Sequence, residues 1–187
     1  MSRLEPKRVA DLTPEQREQH ERTGRVRTVG ADEQYGGPFD PWIRSAELGR
    51  RALGMGDFLW MRTTIGRRLV ELAILVTARF WESNVEWWAH SRLARQSGVS
   101  DDVIDAIYAG TRPTTAPDDE LIAYDVCRSL HERHDLPLEQ YERAINQFGE
   151  EGLMELVGTI GYYTMVAMTL RAFEVTVPDG VEPPFAR

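Results

Sequence analysis

Apolar side chains recur along most of this chain at the spacing of a helical face, and nowhere do they alternate with the period of two that marks a strand. Residues 45–61 place Leu48, Ala52, Met55, Leu59 and Trp60 at helical intervals. Residues 67–81, RRLVELAILVTARFW, form a nearly all-apolar helix, and residues 84–96 form another, ended by Gly98. Upstream, Thr13 before Pro14 starts a helix that Gly24 ends. Residues 25–40, with Gly30, Gly36, Gly37 and Pro38, read as a loop. The GGPFDPW run reads first as a plain connection, with a cover over a pocket as the alternative. Ser100, Asp101 and Asp102 cap a short helix reaching Tyr108, and Gly110 closes it. After the TRPTTAPDD loop, Asp118 or Asp119 opens a helix to about His134, Pro137 starts one to about Phe148, and a last runs from about Glu151 to Glu174. The closing TVPDGVEPPFAR reads as an extended, mobile tail. The pattern predicts an all-α, single-domain bundle of about seven or eight helices, with no repeat that would suggest a solenoid.

Composition narrows the function classes. At 187 residues, one domain with a sizeable core is expected. A net charge of −8 disfavours a phosphate backbone or an anionic membrane as partner. The single cysteine, Cys127, excludes an internal disulfide and a Cys-x-x-Cys pair, and fits a reducing, cytoplasmic setting. The N-terminus lacks the apolar core of a signal peptide. Residues 156–170 carry no formal charge but fall short of the roughly 20 residues of a bilayer span, so they are expected to be a buried helix. No phosphate-cradling glycine loop is present, so a nucleotide site has no support.

Within this frame four side chains invite chemistry. Glu71 lies among Leu69, Val70, Leu72, Ala73, Ile74 and Leu75, where a carboxylate must be protonated, paired or hydrogen-bonded. Arg67 or Arg68, one turn away, would make it an ordinary ion pair; otherwise it faces an internal cavity. Ser83, Glu86 and His90 fall on one face of the next helix, with Glu86 and His90 four apart and able to exchange a proton. Ser83-x-x-Glu86 also reads as a capping box, and His90 as a core histidine. Trp81, Trp87 and Trp88 suggest core or subunit interface, or the wall of a pocket for a flat substrate. His90, His131 and His134 could converge with Glu86 on a metal, but the polar HERH stretch reads as solvated surface and no metal is expected.

The stretch RRLVELAILVTARFWESNVEWWAHSRLARQSGVSDDVIDAIYAG resembles the core of the carboxymuconolactone decarboxylase family, which includes the alkyl hydroperoxidase D-like proteins; the match covers roughly residues 58–110, with a weaker one through LVGTIGYYTMVAMTLRAFEV. The resemblance implies an alkyl hydroperoxidase D-like bundle over residues 41–177, preceded by a helix-and-loop extension at 1–40 and followed by a tail at 178–187. In the hydroperoxidase branch, a glutamate precedes a Cys-x-x-Cys pair by twelve positions and a histidine follows it by four. Glu71, Ser83, Glu86 and His90 keep that spacing, with Ser83 and Glu86 in place of the thiols. Peroxide reduction needs a nucleophilic and a resolving thiol, so that activity is expected to be absent. The thiol-free branch implies a cofactor-free lyase or isomerase acting on a small carboxylated lactone or a keto or enol acid. In that reading His90 stabilises an enolate and protonates carbon, Glu86 orients His90, and Glu71 is proton donor or base. Ser83 and Trp87 bind substrate, and Arg79 or Arg92 would help hold an anion. The resemblance further implies a homo-oligomer, a dimer, trimer or hexamer. The alternatives are a non-catalytic, acid-binding or scaffold member and, less favoured, a peroxiredoxin-like reductase.

Overall fold

Thr13 starts the first long helix by a reciprocal cap: its hydroxyl accepts from the Gln16 amide while the Gln16 side chain accepts from the Thr13 amide. In the computed structural model, which describes residues 2–5, 7–25, 27–28, 30 and 33–185, this helix is α1, Pro14–Gly24. It is followed by α2, Phe39–Ile43; α3, Ala46–Met61; α4, Gly66–Phe80; α5, Asn84–Gln96; α6, Asp101–Ala109; α7, Asp118–Arg133; and α8, Leu138–Ala172. Among the described residues there are eight α-helices and no strand, as the sequence pattern predicts. Ser100 caps α6 through the Val103 amide, and Gly110 ends it in the left-handed region. The two helices expected beyond Pro137 run on as α8, broken at Gly149 (φ 70°, ψ 177°), the stretch where the sequence separates them. The five-residue α2 begins at the end of the expected loop, at Phe39, and runs beyond it, because Pro38 and Pro41 mask one helical turn.

Helix α4 is the centre of the packing. Residues 69–78 are all buried, and α4 contacts α5, α6, α7 and α8 together with α3. Its two flanks feed two cores. Leu72, Leu75 and Val76 join Val103, Ile104 and Ile107 of α6, Ala123 and Val126 of α7, and Leu156 of α8. Val70 and Ile74 join Trp42, Leu59, Tyr162, Tyr163 and Val166. A side chain of this size contributes roughly 1.5–3 kcal/mol on burial. Helix α8 is long and apolar enough to cross a membrane, yet Leu153, Leu156, Ile160 and Val166 are buried against these cores.

Glu155 ties α8 to the start of α4, its carboxyl accepting from the Thr64 amide at 2.6 Å and the Thr64 hydroxyl at 2.7 Å. The C-terminal tail is docked on the helices as far as Phe185. That ring is buried beside Trp87 and Tyr108, its amide donates to Asn84 Oδ1 at 2.7 Å, and Tyr108 donates to the Pro184 carbonyl at 2.7 Å. The sequence conceals this because the docking ring is one aromatic among prolines. Residues 186 and 187 lie outside the described residues.

If α4 organises both cores, Leu75→Ala should destabilise the fold by about 2–5 kcal/mol. Urea unfolding measures this, and a loss below about 1 kcal/mol would show that the surroundings collapse around the deletion.

Candidate active site

Helices α4 and α5 are joined by only Trp81, Glu82 and Ser83. Glu82 takes a left-handed conformation (φ 47°), and the Ser83 amide donates to the Ala78 carbonyl at 2.8 Å. That closed turn sends α5 back along α4 and lays His90 beside Glu71.

Glu71 is fully buried, so its carboxyl depends on polar partners. It has three, each from a different element. Arg67 of its own helix forms an ion pair with Oε1, Trp60 Nε1 of α3 donates to Oε1 at 3.4 Å, and His90 Nδ1 of α5 meets Oε2 at 2.8 Å. The Arg67 guanidinium also stacks over Trp60, 3.9 Å from the ring centre. The ion-pair reading of Glu71 is therefore the one realised: it pairs with Arg67 and does not itself line the cavity of about 470 Å³, which its partner His90 does. Arg68 turns instead to Asp119 and Glu120. A carboxyl that accepts at Nδ1 places the proton there, leaving His90 Nε2 for the cavity its ring lines.

The cavity is walled by Glu86, Trp88 and His90 of α5, Gly56 and Trp60 of α3, Tyr162 and Tyr163 of α8, and the loop residues Arg27 and Tyr35 to Phe39. The loop thus covers a pocket and is not a plain connection. It is built for that place. The Asp40 carboxylate accepts from the Tyr35 amide at 3.0 Å and the Gly36 amide at 2.7 Å. Gly36 and Gly37 adopt positive φ, and the Tyr35 hydroxyl donates to the His20 carbonyl at 2.8 Å. Arg27 stacks over Phe39 and Trp60, 5.1 and 5.3 Å from their ring centres.

Glu86 differs from Glu71. It is 3 % exposed, and neither carboxyl oxygen has a protein partner. Burial pushes its carboxyl up to about 8; the nearby Ser83 hydroxyl opposes the shift without the geometry of a formed hydrogen bond. Glu86 therefore does not orient His90 as the spacing predicts. Glu71 already occupies Nδ1, and the reach between positions four apart on a helix goes unused.

The remaining predicted residues divide. Ser83 stands at the N-cap of α5, but its hydroxyl accepts no backbone amide, so the capping box is not formed. It is buried and does not line the cavity, so the structure gives it no contact with a bound molecule there. Trp87 points to the opposite core, 5.3 Å from Tyr108 and 5.5 Å from Phe185 between ring centres, while its neighbour Trp88 lines the cavity. Arg79 donates to the Tyr108 carbonyl and Arg92 is exposed, and neither reaches the cavity. His131 is not solvated surface. It is buried on the inner side of α7, 3.0 Å from Thr77 Oγ1 and stacked on Phe80, and burial, with the Arg128 charge, pushes it down to about 4. His134 sits exposed at the end of α7, and no three potential metal ligands gather among the described residues.

Sequence reasoning missed Arg27, Trp60, Tyr162 and Tyr163. The tyrosines left a signal, two adjacent hydroxyls in an otherwise apolar helix that must find a partner or a cavity. Arg27 left none.

The folded state binds the Glu86 proton more tightly than the unfolded chain. That stability is complete below pH 4.5 and is lost as pH rises towards 8. Relative to Glu86→Gln, the wild type should lose stability across this window by up to about 1.4 kcal/mol per pH unit. Unfolding at a series of pH values measures it, and a constant difference contradicts a neutral, buried Glu86.

No family model matches the chain, and neither does any curated protein. Solved structures do. One is the alkylhydroperoxidase AhpD core of an uncharacterized peroxidase-related protein from Ralstonia eutropha JMP134, with a TM-score of 0.76 at 13 % identity over 95 % of this chain and 93 % of that one. Another is an uncharacterized peroxidase-related protein from Silicibacter sp. TM1040, with a TM-score of 0.69 at 12 % identity over 94 % of this chain and 91 % of that one. The chain has the all-helical fold of the alkylhydroperoxidase AhpD-like proteins.

Proposed function

We propose that this protein is a cofactor-free acid–base enzyme, a lyase or isomerase of a small carboxylated lactone or a keto or enol acid. The observation that carries the reading is the Glu71–His90 pair, at 2.8 Å, opening onto a cavity large enough for a small organic acid. In this reading His90 moves the proton through Nε2, Glu71 holds the imidazole and stabilises its charged form, and Glu86 is a neutral acid facing the substrate. The division follows environment: one carboxyl is held by three partners, and the other is kept protonated by burial. Arg27 takes the part of anion anchor first given to Arg79 or Arg92.

Thiol-dependent peroxide reduction fits poorly. Cys127 is fully buried on α7, burial pushes its thiol up, and it does not line the cavity. The same reading extends to a cytoplasmic homo-oligomer. Met55, Phe58 and Met61 of α3 and Met154 of α8 are exposed, and Gly158 of α8 lies against Met55 and Leu59 of α3. Sedimentation of a monomer at micromolar concentration would remove that extension.

Assays of carbon dioxide release and loss of conjugation, run beside a hydroperoxide assay with a thiol reductant, test the activity. His90→Ala should lower kcat/KM by about 10²-fold or more, and Cys127→Ser should leave it within twofold. Peroxide turnover in wild-type protein and in Cys127→Ser alike, with no turnover of either carbonyl substrate, would overturn the proposal.

A further inference from the structure

The cavity contains more hydrogen-bond donors than a proton carrier needs. Glu86 lines it with a carboxyl that no protein group satisfies, although the side chain is almost wholly buried. Tyr162 and Tyr163 line it from α8, their rings 5.1 Å apart and edge to face, and the His90 ring stands 5.2 Å from Tyr163 in the same manner. Neither phenol hydroxyl is taken up by a hydrogen bond to a described residue. Burial, first, and then nearby acidic groups including Glu86 push both phenols up, so they stay protonated. A Cβ on Gly56 would come 2.4 Å from the Tyr162 hydroxyl, so α3 leaves room for that group only by carrying glycine there.

Three O–H groups without protein acceptors, beside an imidazole held at its far nitrogen, suit one kind of charge. They are neutral donors, so they stabilise an anion that forms in place better than one that arrives already charged and hydrated. We infer that Glu86, Tyr162 and Tyr163 form an oxyanion site for the enolate oxygen of a flat, conjugated carbonyl compound, so that the reaction passes through an enolate. This rests on the reading of His90 as proton carrier. His90 Nε2 takes a proton from the carbon next to the carbonyl. The C–H electron pair becomes the enolate double bond, and the carbonyl π pair moves to oxygen, where the three donors meet it. Return of that proton to another carbon completes an isomerisation with no oxidant, reductant or co-reactant. A neutral carboxylic acid and a tyrosine together are a known way to hold such an oxygen.

The probe is 2-naphthol, whose oxygen mimics a conjugated enolate, with naphthalene as the ring lacking that oxygen. Binding is measured by fluorescence on the full chain. Wild type should bind 2-naphthol more tightly than naphthalene. Glu86→Ala should weaken 2-naphthol about tenfold or more and leave naphthalene within threefold, whereas Glu86→Gln, which keeps a neutral donor, should stay within threefold for both. Tyr162→Phe and Tyr163→Phe should each weaken 2-naphthol alone, and they carry the test if Glu86→Ala does not fold. Equal losses for 2-naphthol and naphthalene overturn the oxyanion site. His90→Ala separates the two readings: it should abolish turnover and spare 2-naphthol binding. Donor-dependent 2-naphthol binding in a wild-type protein that turns over no carbonyl substrate would refute the catalytic reading and leave the oxyanion site standing.

Discussion

Glu71 sits in the middle of α4, whose residues 69–78 are all withdrawn from solvent, and a carboxyl in that position can exist only if other groups come to it. They come from three helices. Arg67 lies one turn earlier on α4, Trp60 projects from α3, and His90 projects from α5. The same contacts that make the buried carboxyl tolerable align α3, α4 and α5 at one point, and the cavity opens there. Removing a single partner of such a cluster leaves the rest uncompensated, which typically destabilises by about 3–5 kcal/mol. Candidate site and core are therefore one construction here, with the His90 imidazole as part of the solution to a packing problem.

The two glutamates differ in their surroundings. Both are buried, but Glu71 is surrounded by donors whereas Glu86 has none from the protein. An ionised group without partners is expensive at that depth, so Glu86 holds its proton well above the ordinary carboxylate range. One carboxyl holds the His90 imidazole and the other lines the cavity as a neutral acid. The sequence resemblance is to the branch of the family that lacks the thiol pair, with Glu86 at a position where the hydroperoxidase branch has a thiol. A protonated carboxyl offers hydrogen-bond donation in place of redox chemistry. The lone thiol of this chain, Cys127, is sealed in the core on α7 and cannot restore it.

The loop before α2 shows how a pocket is finished. Asp40 fixes the turn at Tyr35 and Gly36, Tyr35 pins it to α1, and Arg27 stacks on Phe39 and Trp60. Together these bring a cation and several aromatic faces to the wall of the cavity that His90 also lines.

The amino-acid sequence by itself determined the helices and their ends, because Thr13, Ser100 and Gly110 act on backbone groups within a few residues of themselves. It also marked Glu71 and His90 as unusual, since a lone carboxylate in an apolar helix is legible as an unpaid desolvation penalty. Only the tertiary structure decided which carboxyl holds the imidazole, that Trp88 and not Trp87 faces the cavity, and that Tyr162, Tyr163 and Arg27 complete it. Periodicity assigns a residue to a helical face, but a face spans about a hundred degrees. Which atom on it meets which partner depends on how helices distant in sequence cross, and the local chain carries no record of that crossing.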